Sequence, residues 1–225
     1  MANHLDLEEQ EQLDELKHFW KQYGNLITWI LIAVLGVVAS WNGYQYWQSR
    51  QAAQASVMFD EVEKVVRSGD LEKAERAFHD MRERFASATY TQHAALLLSR
   101  MAFDAGNAGK AKTALIWLAD HGKDDGLSSL AKLRLASILI EEKAYDEALK
   151  RLESLPAAFD ALASDRRGDV YILQGKHEQA KTEYQRAFSS MEEQSPYRRI
   201  VIVKLNAMGV DPEVSKVVSK AEGVS

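Results

Sequence analysis

"GDVYILQGKHEQAKTEYQRA", residues 168–187, sets a glycine, a turn, an alanine and a tyrosine at spacings that two antiparallel helices need. Gly168 precedes Ala180 by twelve residues and Tyr184 follows it by four, so the alanine marks the closest helix–helix approach and the tyrosine fills the groove one turn on. The inner part of this unit recurs upstream as "SGDLEKAERAF" (68–78), "AGNAGKAKTAL" (105–115) and "EEKAYDEALKRL" (141–152). The central alanines, Ala74, Ala111, Ala148 and Ala180, are spaced by 37, 37 and 32 residues. Twelve residues before each, Ser99, Ala136 and Gly168 supply a small residue, whereas Val62 in the first unit does not. Large residues four later are Phe78, Leu115, Leu152 and Tyr184.

A period this close to 34 residues resembles the tetratricopeptide repeat, a helix–turn–helix unit that stacks into a solenoid. Helix pairs are expected near 52–67 with 70–85, 90–105 with 108–120, 127–142 with 144–155, and 158–173 with 176–190. Turns belong at Gly69, Gly106/Gly109, Gly122/Gly126, Lys143 to Tyr145, Pro156 and Gly175. "YRRIVIVKLNAM" (197–208) reads as a C-terminal capping helix, with a short tail after it. Three prolines, frequent Ala, Leu, Glu, Lys, Gln and Arg, and no long alternating Val/Ile/Thr run agree with an all-α chain of about four helix pairs.

Outward from the repeats, "LITWILIAVLGVVASW" (26–41) carries no charge in a chain that is 27% charged. From Tyr23 to Tyr44 an α-helix would cover about 33 Å, against a hydrocarbon core of roughly 30 Å. Its Leu, Ile and Val residues contribute roughly −3 to −5 kcal/mol toward insertion. Trp20 and Tyr23 before it, and Trp41, Tyr44, Tyr46 and Trp47 after it, stand where headgroup levels would lie. A buried soluble-core helix is seldom bracketed in this way. A cleaved signal peptide is disfavoured by the long acidic segment that precedes the run. An uncleaved signal anchor is expected, and Lys17 and Lys21 on the N-terminal side, against Arg50 on the other, put the N-terminus in the cytoplasm. The expected division is a cytoplasmic acidic tail (1–22), a transmembrane helix (23–45), an exported repeat domain (46–208) and a C-terminal tail (209–225).

Chemistry is hard to find. The six histidines form no His-x-x-x-His or HExxH pair, and there is no cysteine to complete a thiolate site or disulfide. No GxSxG, GxxxxGK[ST] or GxGxxG occurs. "DHGKDDGL" (120–127) lacks the spacing of a calcium loop and reads as an acidic inter-repeat turn. Neither an enzyme nor a metal or cofactor site is expected. After residue 22 there are 26 basic and 27 acidic side chains, so no basic field draws nucleic acid.

What remains is binding. The repeat register turns the first helix of each pair toward a concave groove, with His93, Leu96, Arg100 and Phe103 from the second pair, Leu133, Ser137 and Ile140 from the third, and Asp165, Asp169 and Ile172 from the fourth. Gly36 and Ser40 form a small-xxx-small pair at which another transmembrane helix could approach. In the acidic tail, Leu5, Leu13, Leu16 and Trp20 recur at helical spacing; an anionic leaflet repels such a helix, so its stripe suits a protein better than lipid, unless the tail is simply solvated.

The acidic tail, the early span flanked by "FWKQYGNLITW" and "WNGYQYWQ", and the repeat domain together resemble the YfgM-like family of ancillary SecYEG translocon subunits. The resemblance covers essentially the whole chain. It implies a Gram-negative inner-membrane protein facing the periplasm, without catalytic residues, partnered with SecYEG and the membrane-anchored chaperone PpiD, and helping exported client proteins reach periplasmic chaperones. It also permits restraint of a cytoplasmic response regulator by the N-terminal tail, in an envelope stress response. A different cell-envelope assembly scaffold is the remaining alternative of the same build.

Overall fold

The computed structural model describes residues 7–212, and among them every regular element is helical. Two units divide the chain, Met1–Ala53 and Gln54–Ser225. One helix, α1 (Leu7–Ser68), runs through the end of the first into the second. No proline interrupts it, and after Gly43 no glycine occurs before Gly69, so nothing in the sequence stops the helix earlier.

In the first unit, Leu26, Trp29, Ile30, Leu31, Ile32, Val34, Leu35, Val37, Val38 and Trp41 are all exposed. Among the described residues, this is one helix long and apolar enough to cross a membrane. The polar groups inside the run are satisfied locally. Thr28 Oγ1 donates to the Gly24 carbonyl at 2.7 Å and Ser40 Oγ to the Gly36 carbonyl at 2.8 Å, as an apolar surrounding requires.

The second unit follows the repeat register. The end of α1 is joined by α2 (Leu71–Phe85), α3 (Thr89–Asp104), α4 (Ala108–His121), α5 (Asp125–Glu141) and α6 (Tyr145–Glu153). A 3₁₀ turn (Ala157–Phe159), α7 (Asp160–Leu173), α8 (His177–Ser190) and α9 (Arg198–Ala207) complete it. Ala74, Ala111, Ala148 and Ala180 are each fully buried. Phe78, Leu115, Leu152 and Tyr184 are at most 5% exposed, each burial worth about 1.5–3 kcal/mol. Val62 is also fully buried, so the first pair forms without a small residue at that position.

The turn between paired helices is one geometry used repeatedly. Gly69, Gly106, Lys143 and Gly175 have φ of 79°, 75°, 62° and 74°, and each stands five residues before its alanine. The amide one residue further on closes the helix end, from Asn107 to Ala102, Ala144 to Leu139 and Lys176 to Tyr171, each at 2.8 Å. Asp70 and Asn107 then cap α2 and α4 by accepting from Lys73 N and Lys110 N. Asp124, from the acidic turn, caps α5 by accepting from Leu127 N at 2.8 Å.

Candidate protein-binding groove

α3 and α5, first helices of adjacent pairs, leave between them a cleft of about 340 Å³. Leu115, Ile138 and Phe103 give it an apolar lining, Ser99 and Ser137 two hydroxyls, and Arg100, Arg134 and Glu141 a charged rim. The hydroxyls are already engaged, Ser99 Oγ donating to the Leu96 carbonyl at 2.8 Å and Ser137 Oγ to that of Leu133 at 3.2 Å. Arg100 pairs loosely with Asp104 at 3.5 Å, and both are well exposed. Phe103 is 42% exposed, an aromatic ring that the fold itself leaves partly uncovered. Together these groups can grip a short extended or helical segment through an apolar side chain and one or two polar groups.

The structure therefore brings Arg100, Phe103 and Ser137 together. His93 lies two turns earlier on α3, exposed, with its ring 6.5 Å from Phe59 of α1, whose ring also meets that of Tyr90 at 5.7 Å in a tilted arrangement. Leu96 and Leu133 belong to the core.

The three positions expected from the fourth pair lie elsewhere. Asp165 is fully buried and Asp169 is half-buried beneath α9. Lys204 of α9 donates to Asp165 Oδ1 at 2.7 Å and to Asp169 Oδ1 at 2.6 Å. Tyr197 donates its hydroxyl proton to Asp165 at 2.7 Å, Tyr184 donates to Asp169 at 2.8 Å, and Arg166 reaches Asp169 at 3.2 Å. These carboxylates hold α9 to α7 and do not face an open groove, while Ile172 packs into the apolar cluster of α8 and α9. Burial first, then the hydrogen bond to Asp165, pushes the Tyr197 phenol up to about 12. Burial and the bond to Asp169 raise Tyr184 further in the same direction.

Charge pairs lace neighbouring repeats together, Lys110 with Glu75 at 2.7 Å, Lys112 with Glu142 at 2.6 Å and Arg151 with Asp120 at 3.0 Å, while Arg186 with Asp160 at 2.8 Å joins the two helices of the fourth pair. Two structural residues escaped the sequence reading. Gln92, 1% exposed, accepts the amides of Lys123 and Asp124 and so pins the α4–α5 turn. Arg198 donates to the carbonyls of Phe188 and Met191 while its guanidinium lies 3.6 Å from the centre of the Phe188 ring. In both, the partner stands outside the residue's own helix; a polar residue on an otherwise apolar face was the available signal.

Gly36 and Ser40 lie one helical turn apart on exposed α1, and the space beside Gly36 is open. In the tail, Leu13, Leu16 and Trp20 are exposed, whereas Leu5 lies outside the described residues, as do residues 213–225 of the expected C-terminal tail.

Comparison with known proteins agrees with this build. A family model described as a tetratricopeptide repeat-like domain matches residues 17–210. The chain is 31% identical over 214 residues to the ancillary SecYEG translocon subunit of Neisseria gonorrhoeae, covering 92% of this chain and 100% of that protein. It is 29% identical over 189 residues to the protein of that name from Haemophilus influenzae, covering 82% of this chain and 90% of the relative. The Escherichia coli protein of that name is 26% identical over 189 residues, covering 81% and 88%. With a repeat-domain match over most of its length and end-to-end similarity to the Neisseria protein, this chain belongs to the YfgM family of ancillary SecYEG translocon subunits.

Proposed function

We propose that this chain is a non-enzymatic scaffold of the bacterial inner membrane, attached to the SecYEG translocon and presenting its repeat domain in the periplasm. There it receives newly exported proteins and passes them to periplasmic chaperones, with PpiD as the neighbouring partner. The observation that carries the reading is the pairing of one exposed apolar helix with a repeat domain that keeps an uncovered cleft, in a chain similar throughout to ancillary translocon subunits. Lys17 and Lys21 before the span support an N-terminus in the cytoplasm. Gly36 and Ser40 are the proposed contact with another transmembrane helix, and Arg100, Phe103 and Ser137 the proposed client contacts.

Extraction in mild detergent followed by affinity purification tests the attachment. SecYEG subunits and PpiD are expected in the eluate; other envelope complexes without translocon subunits would contradict the reading. The exposed Leu13, Leu16 and Trp20 stripe favours a second role, a cytoplasmic contact with a response regulator. Deleting residues 2–20 is expected to alter envelope-stress signalling while export continues, and unchanged signalling removes that role.

A further inference from the structure

The charges around the cleft between α3 and α5 are sorted by sign. Both helices pack antiparallel to α4 and so run parallel to each other. Arg134 precedes Glu141 on α5 by seven residues, and Arg100 precedes Asp104 on α3 by four, which puts the cations toward one end of the cleft and the acids toward the other. At 1.5 Å of rise per residue, Arg134 and Glu141 stand about 10.5 Å apart along the helix. Asp104 and Glu141 are also the last residues of their helices, where the backbone dipoles already concentrate negative charge. An acid is unfavourable there within the helix itself, and a cation supplied from outside relieves both.

The fold does not consume these charges. Elsewhere, neighbouring repeats are tied by ion pairs, and Glu142, beside Glu141, is held by Lys112 at 2.6 Å. Arg134 and Glu141 are exposed and make no hydrogen bond, ion pair or ring contact among the described residues. The arrangement belongs to this cleft: in the next pair the equivalent positions are Arg166, bound to Asp169 at 3.2 Å, and Leu173. Between the free charges the cleft offers Ile138 and the half-exposed ring of Phe103.

We propose that the cleft selects extended segments of exported chains in which an apolar residue is flanked by an acid on one side and a base on the other. The acid meets Arg100 and Arg134, the apolar side chain enters beside Phe103, and the base meets Asp104 and Glu141. In an extended chain every second side chain faces the same way, so an acid-x-apolar-x-base segment covers about 13 Å, and the long arms of Arg134 and of a lysine absorb the difference. This selectivity rests on the client-groove reading.

Fluorescence anisotropy on the full chain in phosphatidylcholine nanodiscs, at low salt, tests it with three labelled peptides blocked at both ends. Their centres are Asp-Ser-Phe-Ser-Lys, Asp-Ser-Phe-Ser-Asp and Lys-Ser-Phe-Ser-Lys. The mixed-charge peptide is expected to bind about threefold or more tighter than the other two, a preference that vanishes at about 0.5 M salt. Arg134→Glu is expected to make the two-lysine peptide the tightest, and Glu141→Lys the two-aspartate peptide. An unchanged ranking in both variants, or equal binding of all three peptides, overturns the proposal, and if Phe103→Ala still weakens that binding the client groove itself stands. Binding of none of the peptides, or binding indifferent to Phe103→Ala, removes the client-groove reading and the selectivity with it.

Discussion

Gly168 shows how narrowly the repeat is specified at single residues. A Cβ there would stand inside the ring of Tyr184, which its hydroxyl bond to Asp169 keeps from retreating. Alanine would gain about 1 kcal/mol of helix propensity, but overpacking of this kind costs about 1–3 kcal/mol. Gly168→Ala is therefore expected to lower the urea midpoint of the repeat domain; an unchanged midpoint would mean that the two helices separate freely. Lys143 presents the opposite case, a side chain in a left-handed turn filled by glycine in the other pairs. Lys143→Gly is expected to raise stability by about 0.5–1 kcal/mol in the same titration. The two buried phenols add a pH dependence. Both titrate higher folded than unfolded, so their contribution is complete below about pH 10, where unfolded tyrosine begins to ionise, and is lost as pH rises toward and through 12. Thermal melts between about pH 8 and pH 12 are expected to fall at the alkaline end, and Tyr184→Phe with Tyr197→Phe to flatten that fall.

Among the elements, α9 depends most on charge. Lys204 neutralises two carboxylates, one fully buried, and removing it leaves both without their principal partner. Lys204→Ala is expected to destabilise the domain by about 3–5 kcal/mol, measured by chemical denaturation, with much of that recovered when Asp165→Asn is added. This cluster also marks the limit of what the sequence made legible. Helix pairs, turn glycines and the buried alanines follow from local spacing, because each is fixed by neighbours within one repeat. Arg100, Phe103 and Ser137 were legible from the same register, because the described elements of the neighbouring pairs leave them lining the cleft. Asp165 and Asp169 shared that register, yet their partner Lys204 comes from the next unit, 39 and 35 residues on, and no local pattern announces it. The unbroken α1 was within reach: no breaker stands between Gly43 and Gly69, and the expected boundary near residue 46 came from the end of the apolar run.

At the scale of the whole molecule, the proposed function gives attachment to the apolar helix, which is exposed among the described residues, and binding to the cleft of the repeat domain. Site-specific photocrosslinking in intact cells examines both at once, with probes at Trp29 and Gly36 in the span and at Arg100 and Phe103 in the cleft. The account predicts adducts to translocon subunits from the span, and to a periplasmic chaperone or exported chains from the cleft. Lipid or self adducts alone from the span, together with only unrelated envelope proteins from the cleft, would contradict it.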